Sequence, residues 1–249
     1  MNYTLFSITL ALFLLHHPSL HATNGLVGHW KLDGDAKDFS GNNNHGYIEG
    51  AVPSADRNGN SNGSLFFDGK DDYVEIQYTR LLNPPLLTYS IWVKHEERLK
   101  NNNEYIVISR NDKGGESGYH LRIAGPKGDT HWNTYIGNRG GDLTRNRFLQ
   151  WPGFRTKSKV TPKKWYHVCV TVSLNQLKLF INGKEESQMG LKHMLVPNTK
   201  RSLYLGGDRV HMLRPDVGNC IFFGHLDDFR IYERALSITE VQALYNLGQ

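Results

Sequence analysis

The chain has 249 residues, 39% of them hydrophobic and 21% charged, which is the composition of an ordinary globular domain and excludes a low-complexity chain. Its net charge of +5 and pI near 9.1 favour anionic partners, such as acidic glycans, membranes, nucleic acid or mineral surfaces. Tyr3–Leu15 is an apolar run, shorter than the ~20 residues that span a bilayer. It reads as the h-region of a secretory signal covering residues 1–22, with cleavage after Ala22, although no Lys or Arg precedes it. No later stretch could span a membrane. The expectation is one domain over residues 23–249, secreted and extracellular.

Leu26–Leu32 alternates as a strand, with Leu26, Gly28, Trp30 and Leu32 on one face and Val27, His29 and Lys31 on the other. Residues 33–46 are rich in Asp, Asn, Ser and Gly and form turns. A short strand starts at Tyr47. Pro53–Gly63 is a polar surface loop, and Asn62-Gly63-Ser64 is an N-glycosylation sequon at its end. Ser64–Gln77 holds two short strands around an Asp-Gly turn. Leu86–His95 reads as a central strand, and Tyr105–Arg110, Ser117–Ala124 and Trp132–Gly137 continue the series.

Arg139–Lys164 carries eight basic side chains, including Arg139, Arg145, Arg147 and Arg155, against Asp142 alone. Trp151 and Phe154 interrupt it. A long irregular basic segment of this kind suits sulfate or carboxylate groups through its Arg forks, and Trp151 offers a face to a sugar. An equally weighted reading is a solvated loop. The expected ligand-binding residues are Arg139, Arg145, Arg147, Trp151 and Arg155.

Trp165–Val172 and Gln176–Ile181 form a hairpin region. Val168, Val170 and Val172 share one face, with His167, Cys169 and Thr171 on the other. Asn182-Gly183 is a tight-turn pair. Ser202–Gly206 is one more strand. Residues 224–248 join a last strand to an amphipathic helix. Ser237 and Glu240 make a capping box, with Leu236 and Val241 as its staple. In that strand Asp227 shares a face with Phe229 and Ile231, so a carboxylate is expected on the core side, in need of a partner. Many short strands with one terminal helix give an all-β sandwich. Cys169 and Cys220, an even pair in an oxidising compartment, are expected to form one disulfide.

The blocks GLVGHWKLDG, DFSGNNNHG, SLFFDGKDDYVEI, YSIWVKH, KWYHVCVTVSLNQLKLFINGK and HLDDFRIYERALS–EVQALYN resemble, in that order, the laminin-G-like, concanavalin A-like jelly rolls. The stretch His167–Lys184 is also similar to pentraxins. The resemblance implies two antiparallel sheets face to face, with the first strand close to the last. It covers lectins, adhesion modules and some enzymes, so it does not give function.

Calcium has two candidate places. Asp33, Asp35, Asp38 and Asn42 lie in one loop, and the resemblance brings Asp227 near it; such oxygens could hold a structural Ca²⁺, while local capping of backbone N–H groups is the plainer explanation. Asp112, Glu116, Asp208 and Asp216 resemble the pentraxin calcium edge, with Arg209 a poor neighbour for a cation. His29 and His225 stand on neighbouring end strands and form no short metal spacing. No paired-carboxylate run of the glucanase kind is present. The expectation is a non-enzymatic, lectin-like carbohydrate-binding protein for acidic glycans. A structural matrix component, such as a biomineral or shell matrix protein, is the other reading. Neither a nucleic-acid partner nor a membrane span is expected.

Overall fold

The computed structural model describes residues 23–96, 104–111, 118–125, 129–137, 153–192, 200–207 and 221–247. Fifteen strands and one helix are defined among them. The strands are β1 Leu26–Trp30, β2 Gly46–Glu49, β3 Val52–Ser54, β4 Ser64–Asp68, β5 Tyr73–Ile76, β6 Leu87–His95, β7 Glu104–Asn111, β8 Gly118–Ala124 and β9 His131–Ile136. They continue with β10 Gly153–Lys159, β11 Tyr166–Val172, β12 Gln176–Ile181, β13 Lys184–Gly190, β14 Leu203–Leu205 and β15 Phe223–Tyr232, and the chain closes on helix α1, Ile238–Leu247.

Two antiparallel sheets stack into a sandwich. One runs β13-β12-β11-β6-β15-β4-β3, with β1 also paired to β15; the other runs β10-β9-β8-β7-β14-β5-β2. Period-two alternation builds the core between them. Val168, Val170 and Val172 of β11, Tyr89, Ile91 and Val93 of β6, and Leu121 and Ile123 of β8 are fully buried there. β6 is central because it pairs with β11 on one side and β15 on the other. Asn182 and Gly183 have φ of 51° and 73°, the positive pair that turns β12 into β13. β1 lies antiparallel to β15, so the two ends of the sandwich meet at one seam.

Helix α1 packs on the outer face of the first sheet. Leu236, Val241 and Leu244 meet Phe180 and Tyr232, and Cys169 is buried among them. The capping box forms as expected: Glu240 accepts from the Ser237 N–H at 2.8 Å, and Ser237 Oγ accepts from the Glu240 N–H at 3.3 Å. A salt bridge from Arg234 at 2.6 Å, together with the Ser237 bonds, holds the Glu240 carboxyl down at about 2. That support is complete above the usual glutamate range and is lost as pH falls toward 2. Ser237→Ala should cost about 1 kcal/mol in urea unfolding at neutral pH; an unchanged midpoint would show that the helix is held by packing alone.

Three expectations need correction. Cys169 is a free thiol rather than half of a disulfide, because the helix covers the face on which it projects; burial pushes its pKa well up. Cys220 lies outside the described residues. The basic segment is not irregular throughout, since Gly153–Lys159 is an edge strand with Arg155, Lys157 and Lys159 exposed and Thr156 turned inward. Lys184–Gly190 is likewise a strand. Finally, Asp227 does not share a face with Phe229 and Ile231, for the reason given next.

Candidate functional site

β15 has ten residues and two edges. Along one edge β4 pairs with Phe223–Leu226, and β1 pairs with Phe229–Tyr232. Asp227 and Asp228 fall in the gap between β4 and β1. On the other edge Asp227 stands opposite Trp92 and Arg230 opposite Ser90, so two residues of β15 face one of β6. This is a β-bulge, and Asp228 takes its left-handed position at φ 48°. Aspartate tolerates that conformation better than most residues. The Asp228 N–H finds the Lys31 carbonyl at 3.0 Å.

The bulge resets the alternation. Leu226, Phe229 and Ile231 point into the core, while Asp227, Asp228 and Arg230 all line one pocket on the outer side. The pocket has a volume of about 200 Å³. β1 adds His29, the loop after it adds Lys31 and Asp33, the β3–β4 loop adds Asp56 and Arg57, and the end of α1 adds Leu247.

The floor is a set of paired charges. Asp228 accepts from Arg230 Nε and Nη2 at 3.0 and 3.1 Å and meets His29 Nε2 at 2.7 Å. Burial alone would raise Asp228; His29 and Arg230 hold it far below the usual carboxylate range. Asp227 is ion-paired with Arg57, whose guanidinium lies 4.6 Å over the Trp92 ring. Burial pushes Asp227 up to about 7 against the pull of Arg57, and Asp228, Asp56 and Asp33 add to the rise. Asp56 is consumed by its own loop, accepting from the N–H groups of Asn58 and Asn60.

The mouth is different. Lys31 and Asp33 are exposed, and Lys31 Nζ sits 4.6 Å over Phe39, a ring 52% exposed that also meets His29. Asp33 is raised by partial burial and eased by Lys31. An ammonium and a carboxylate therefore stand at the mouth above the paired charges of the floor, with the exposed Phe39 ring beside the pocket under Lys31. Lys31, Arg57 and Arg230 balance Asp33, Asp56 and Asp228, and with Asp227 pushed up to about 7 the pocket is close to neutral.

The residues expected to hold calcium divide. Asp33 and Asp227 reach this pocket, but Asp38 and Asn42 do not line it. Asp38 accepts from the N–H groups of His29, Ser40 and Asn44 and from Ser40 Oγ, which occupies both its oxygens with loop capping. Asn42 donates to the Val27 carbonyl. The partner that Asp227 required is Arg57. Among the described residues, one group of three carboxylates comes close enough to share an ion: Asp68, Asp71 and Asp72, in the β4–β5 turn. Asp72 there accepts from the Asp68 N–H at 2.6 Å, so the turn has an internal explanation.

Of the expected ligand-binding residues, Arg155 is exposed on β10 and remote in sequence and sheet from the pocket. Arg139, Arg145, Arg147 and Trp151 lie outside the described residues, as do Asp112, Glu116, Asp208 and Asp216. Asn62 is exposed at the end of the β3–β4 loop, while its sequon partner Ser64 is buried, donating to the Ala55 carbonyl at 2.9 Å. His29 belongs to the pocket, whereas His225 lies with Phe66 and Trp165, so the two do not act together. Lys31, Phe39 and Arg57 escaped the sequence reading. Lys31 was placed correctly beside His29, but nothing local marks Arg57, 170 positions from its partner.

Residues 68–242 match the sequence model of the concanavalin A-like lectin/glucanases superfamily. No curated protein sequence matches the chain. Among solved structures, domain 4 of AbnA, an extracellular GH43 arabinanase of Geobacillus stearothermophilus in complex with arabinotriose, is similar at a TM-score of 0.65 and 21% identity, covering 90% of this chain and 98% of that one. The botulinum neurotoxin serotype D ligand-binding domain in complex with N-acetylneuraminic acid is similar at 0.67 and 16% identity, covering 92% of this chain and 52% of that one. The binding domain of Paraclostridial Mosquitocidal Protein 1 gives 0.67 and 21%, covering 91% and 53%. The chain thus spans about half the length of the toxin domains. At these identities the likeness is one of fold.

Proposed function

Because the chain belongs to the concanavalin A-like lectin/glucanases superfamily, we propose that it is a non-enzymatic carbohydrate-binding protein whose site is the pocket at the β1–β15 seam. The observation that carries this reading is the mouth of that pocket, lined by the exposed Lys31 and Asp33, with the exposed Phe39 ring next to it against Lys31 and His29. A sugar presents hydroxyl groups along its edges and C–H groups on its faces. A carboxylate and an ammonium can bond the first, and an aromatic ring covers the second. Carbohydrate ligands in the arabinanase domain and in the serotype D toxin domain support the class of ligand.

The pocket's near balance of charge favours a neutral glycan. Preference for acidic glycans, if the protein has it, comes from β10, whose Arg155 and Lys157 are exposed. Catalysis is a poor fit to the floor. A glycosidase needs one carboxyl free to give a proton and another free to attack or activate water. Asp228 is tied to His29 and Arg230, and Asp227 to Arg57. We place the protein outside the cell on the strength of the apolar run Tyr3–Leu15.

A glycan array probed with the full chain tests the reading. Saturable binding to a defined neutral glycan is expected, weakened about tenfold (~1.4 kcal/mol) in Lys31→Ala and Asp33→Ala. An array with no saturable signal, or variants that bind as well as the parent, would remove the pocket from consideration.

The second reading, an anionic matrix partner, is favoured by one observation: Arg155, Lys157 and Lys159 are exposed on one edge strand, Lys159 in an ion pair with Asp129 at 3.0 Å. Lysine on a sheet edge also serves to block edge-to-edge pairing. Heparin–agarose separates the two roles. A matrix-binding edge predicts elution at clearly lower salt for the triple Ala variant, whereas a merely protective edge leaves elution unchanged and promotes self-association.

A further inference from the structure

Next to the pocket, on the same outer face, lies a row of aromatic side chains that the charged floor does not use. Cross-strand register places Val52 opposite Phe66, Phe66 opposite His225, and His225 opposite Lys94. Lys94 Nζ lies 5.3 Å over the ring of Trp165, and Trp165 is 6.0 Å from His225. Phe66 meets His225 at 5.0 Å and Phe223 at 5.9 Å. Val52 is 52% exposed, and Phe66, Trp165 and Lys94 are half-buried. These rings point away from the core, since Leu65, Phe67, Val93 and Leu226 beside them fill it.

The row is continuous with the pocket. His225 is two residues before Asp227 on β15, and Lys94 two after Trp92 on β6, a step of about 7 Å along each strand. Arg57 bridges the two, pairing with Asp227 and covering Trp92. The outer face thus changes, within one sugar's length, from a polar pocket to an aromatic platform. The platform carries one ammonium, Lys94, and one carboxylate, Glu96, which lies 3.7 Å from His225. The two charges balance, and Lys94 is held over the Trp165 ring. Flat rings with a few polar groups suit the face of a neutral pyranose or furanose.

We propose that the pocket and this row are two halves of one site, so that the protein takes a neutral oligosaccharide of at least two units, one unit in the pocket and the next on Trp165 and Phe66. The inference rests on the pocket reading above and adds the requirement for chain length.

Calorimetric titration of the full chain with matched neutral pairs tests it: arabinose and arabinotriose, glucose and cellotriose, N-acetylglucosamine and chitotriose. In at least one pair the trisaccharide should bind about tenfold tighter than its monosaccharide, equivalent to ~1.4 kcal/mol. Trp165→Leu and Phe66→Leu keep apolar bulk on the sheet and should erase that advantage while leaving monosaccharide affinity unchanged. Val52→Ser, at an exposed position, provides a second variant at the row that does not depend on a ring. Equal affinity for both members of every pair, or leucine variants that keep the trisaccharide advantage, would overturn the two-part site and leave the pocket standing. No binding by the parent to any of the six sugars would overturn both.

Discussion

Replacing Arg57 with Ala should lower the free energy of unfolding by about 1–2 kcal/mol at pH 8, because Asp227, already pushed up to about 7 by burial, takes up a proton once its counter-charge is gone. The side chain of Asp227 is only 4% exposed, and Asp228, Asp56 and Asp33 surround it. Without Arg57 its carboxylate has lost its counter-charge and cannot reach water. The penalty should depend on pH. A carboxyl raised in the folded state costs stability once it ionises, and the cost disappears as pH falls toward its unfolded value. Asp227 is already pushed up by burial with Arg57 present, so removal of Arg57 drives it higher. The gap between variant and parent in urea unfolding should therefore narrow between pH 8 and pH 5. A double variant, Arg57→Ala with Asp227→Leu, should recover much of the loss. A gap that stays constant with pH would mean that Asp227 is solvated and the pocket floor is open.

Trp30→Ala should cost about 3–5 kcal/mol, as deletion of a large core ring does. Trp30 is fully buried, stacks on Phe229 with ring centroids 5.2 Å apart, and donates Nε1–H to the Asn44 carbonyl at 2.9 Å. Its ring folds back over Gly28, where an added Cβ would lie 2.2 Å from a ring carbon. Gly28→Ala is thus expected to destabilise as well, by about 1–3 kcal/mol of overpacking. This stack clamps β1 to β15 immediately beyond the bulge, so it holds His29 against Asp228. Trp30→Phe tests the two contributions separately. It retains an aromatic ring for Phe229 and strands the Asn44 carbonyl, and its cost should be clearly smaller than that of Trp30→Ala. Equal costs would place the whole effect in the hydrogen bond.

Much of the sandwich was legible because alternation is a local signal. The valines of β11, the Asn182-Gly183 turn and the capping box of α1 each follow from neighbouring residues alone. The site was less legible, because it is made by an interruption of that signal. A single left-handed residue at Asp228 shifts the phase of β15, and aspartate at that position does not announce it. Period-two reasoning accordingly placed Asp227 in the core with Phe229. The same reasoning missed β10, whose Arg and Lys residues read as a loop, although Phe154 and Thr156 turn inward between them. It also gave Cys169 a disulfide where the helix supplies burial instead. The acidic loop after β1 invited a calcium reading, yet Asp38 is occupied by backbone and hydroxyl donors, an arrangement visible only once the loop is closed.

What remains distinctive is how the seam is used. β4 and β1 share one edge of β15 and leave two carboxylates between them. Their charges are met by Arg57, Arg230 and His29, and the groups left over face solvent at the mouth. The floor is a set of paired charges, and the exposed charged groups stand at the rim.

The most direct test of that division is amide chemical-shift mapping of the full chain titrated with arabinotriose, cellotriose and chitotriose. Binding at the seam predicts saturable shifts confined to residues 29–33, 39, 52, 56–57, 66, 94, 165 and 225–230, with Lys31→Ala and Asp33→Ala weakening them. Shifts centred instead on Arg155, Lys157 and Lys159, or the absence of saturable shifts with all three sugars, would contradict it.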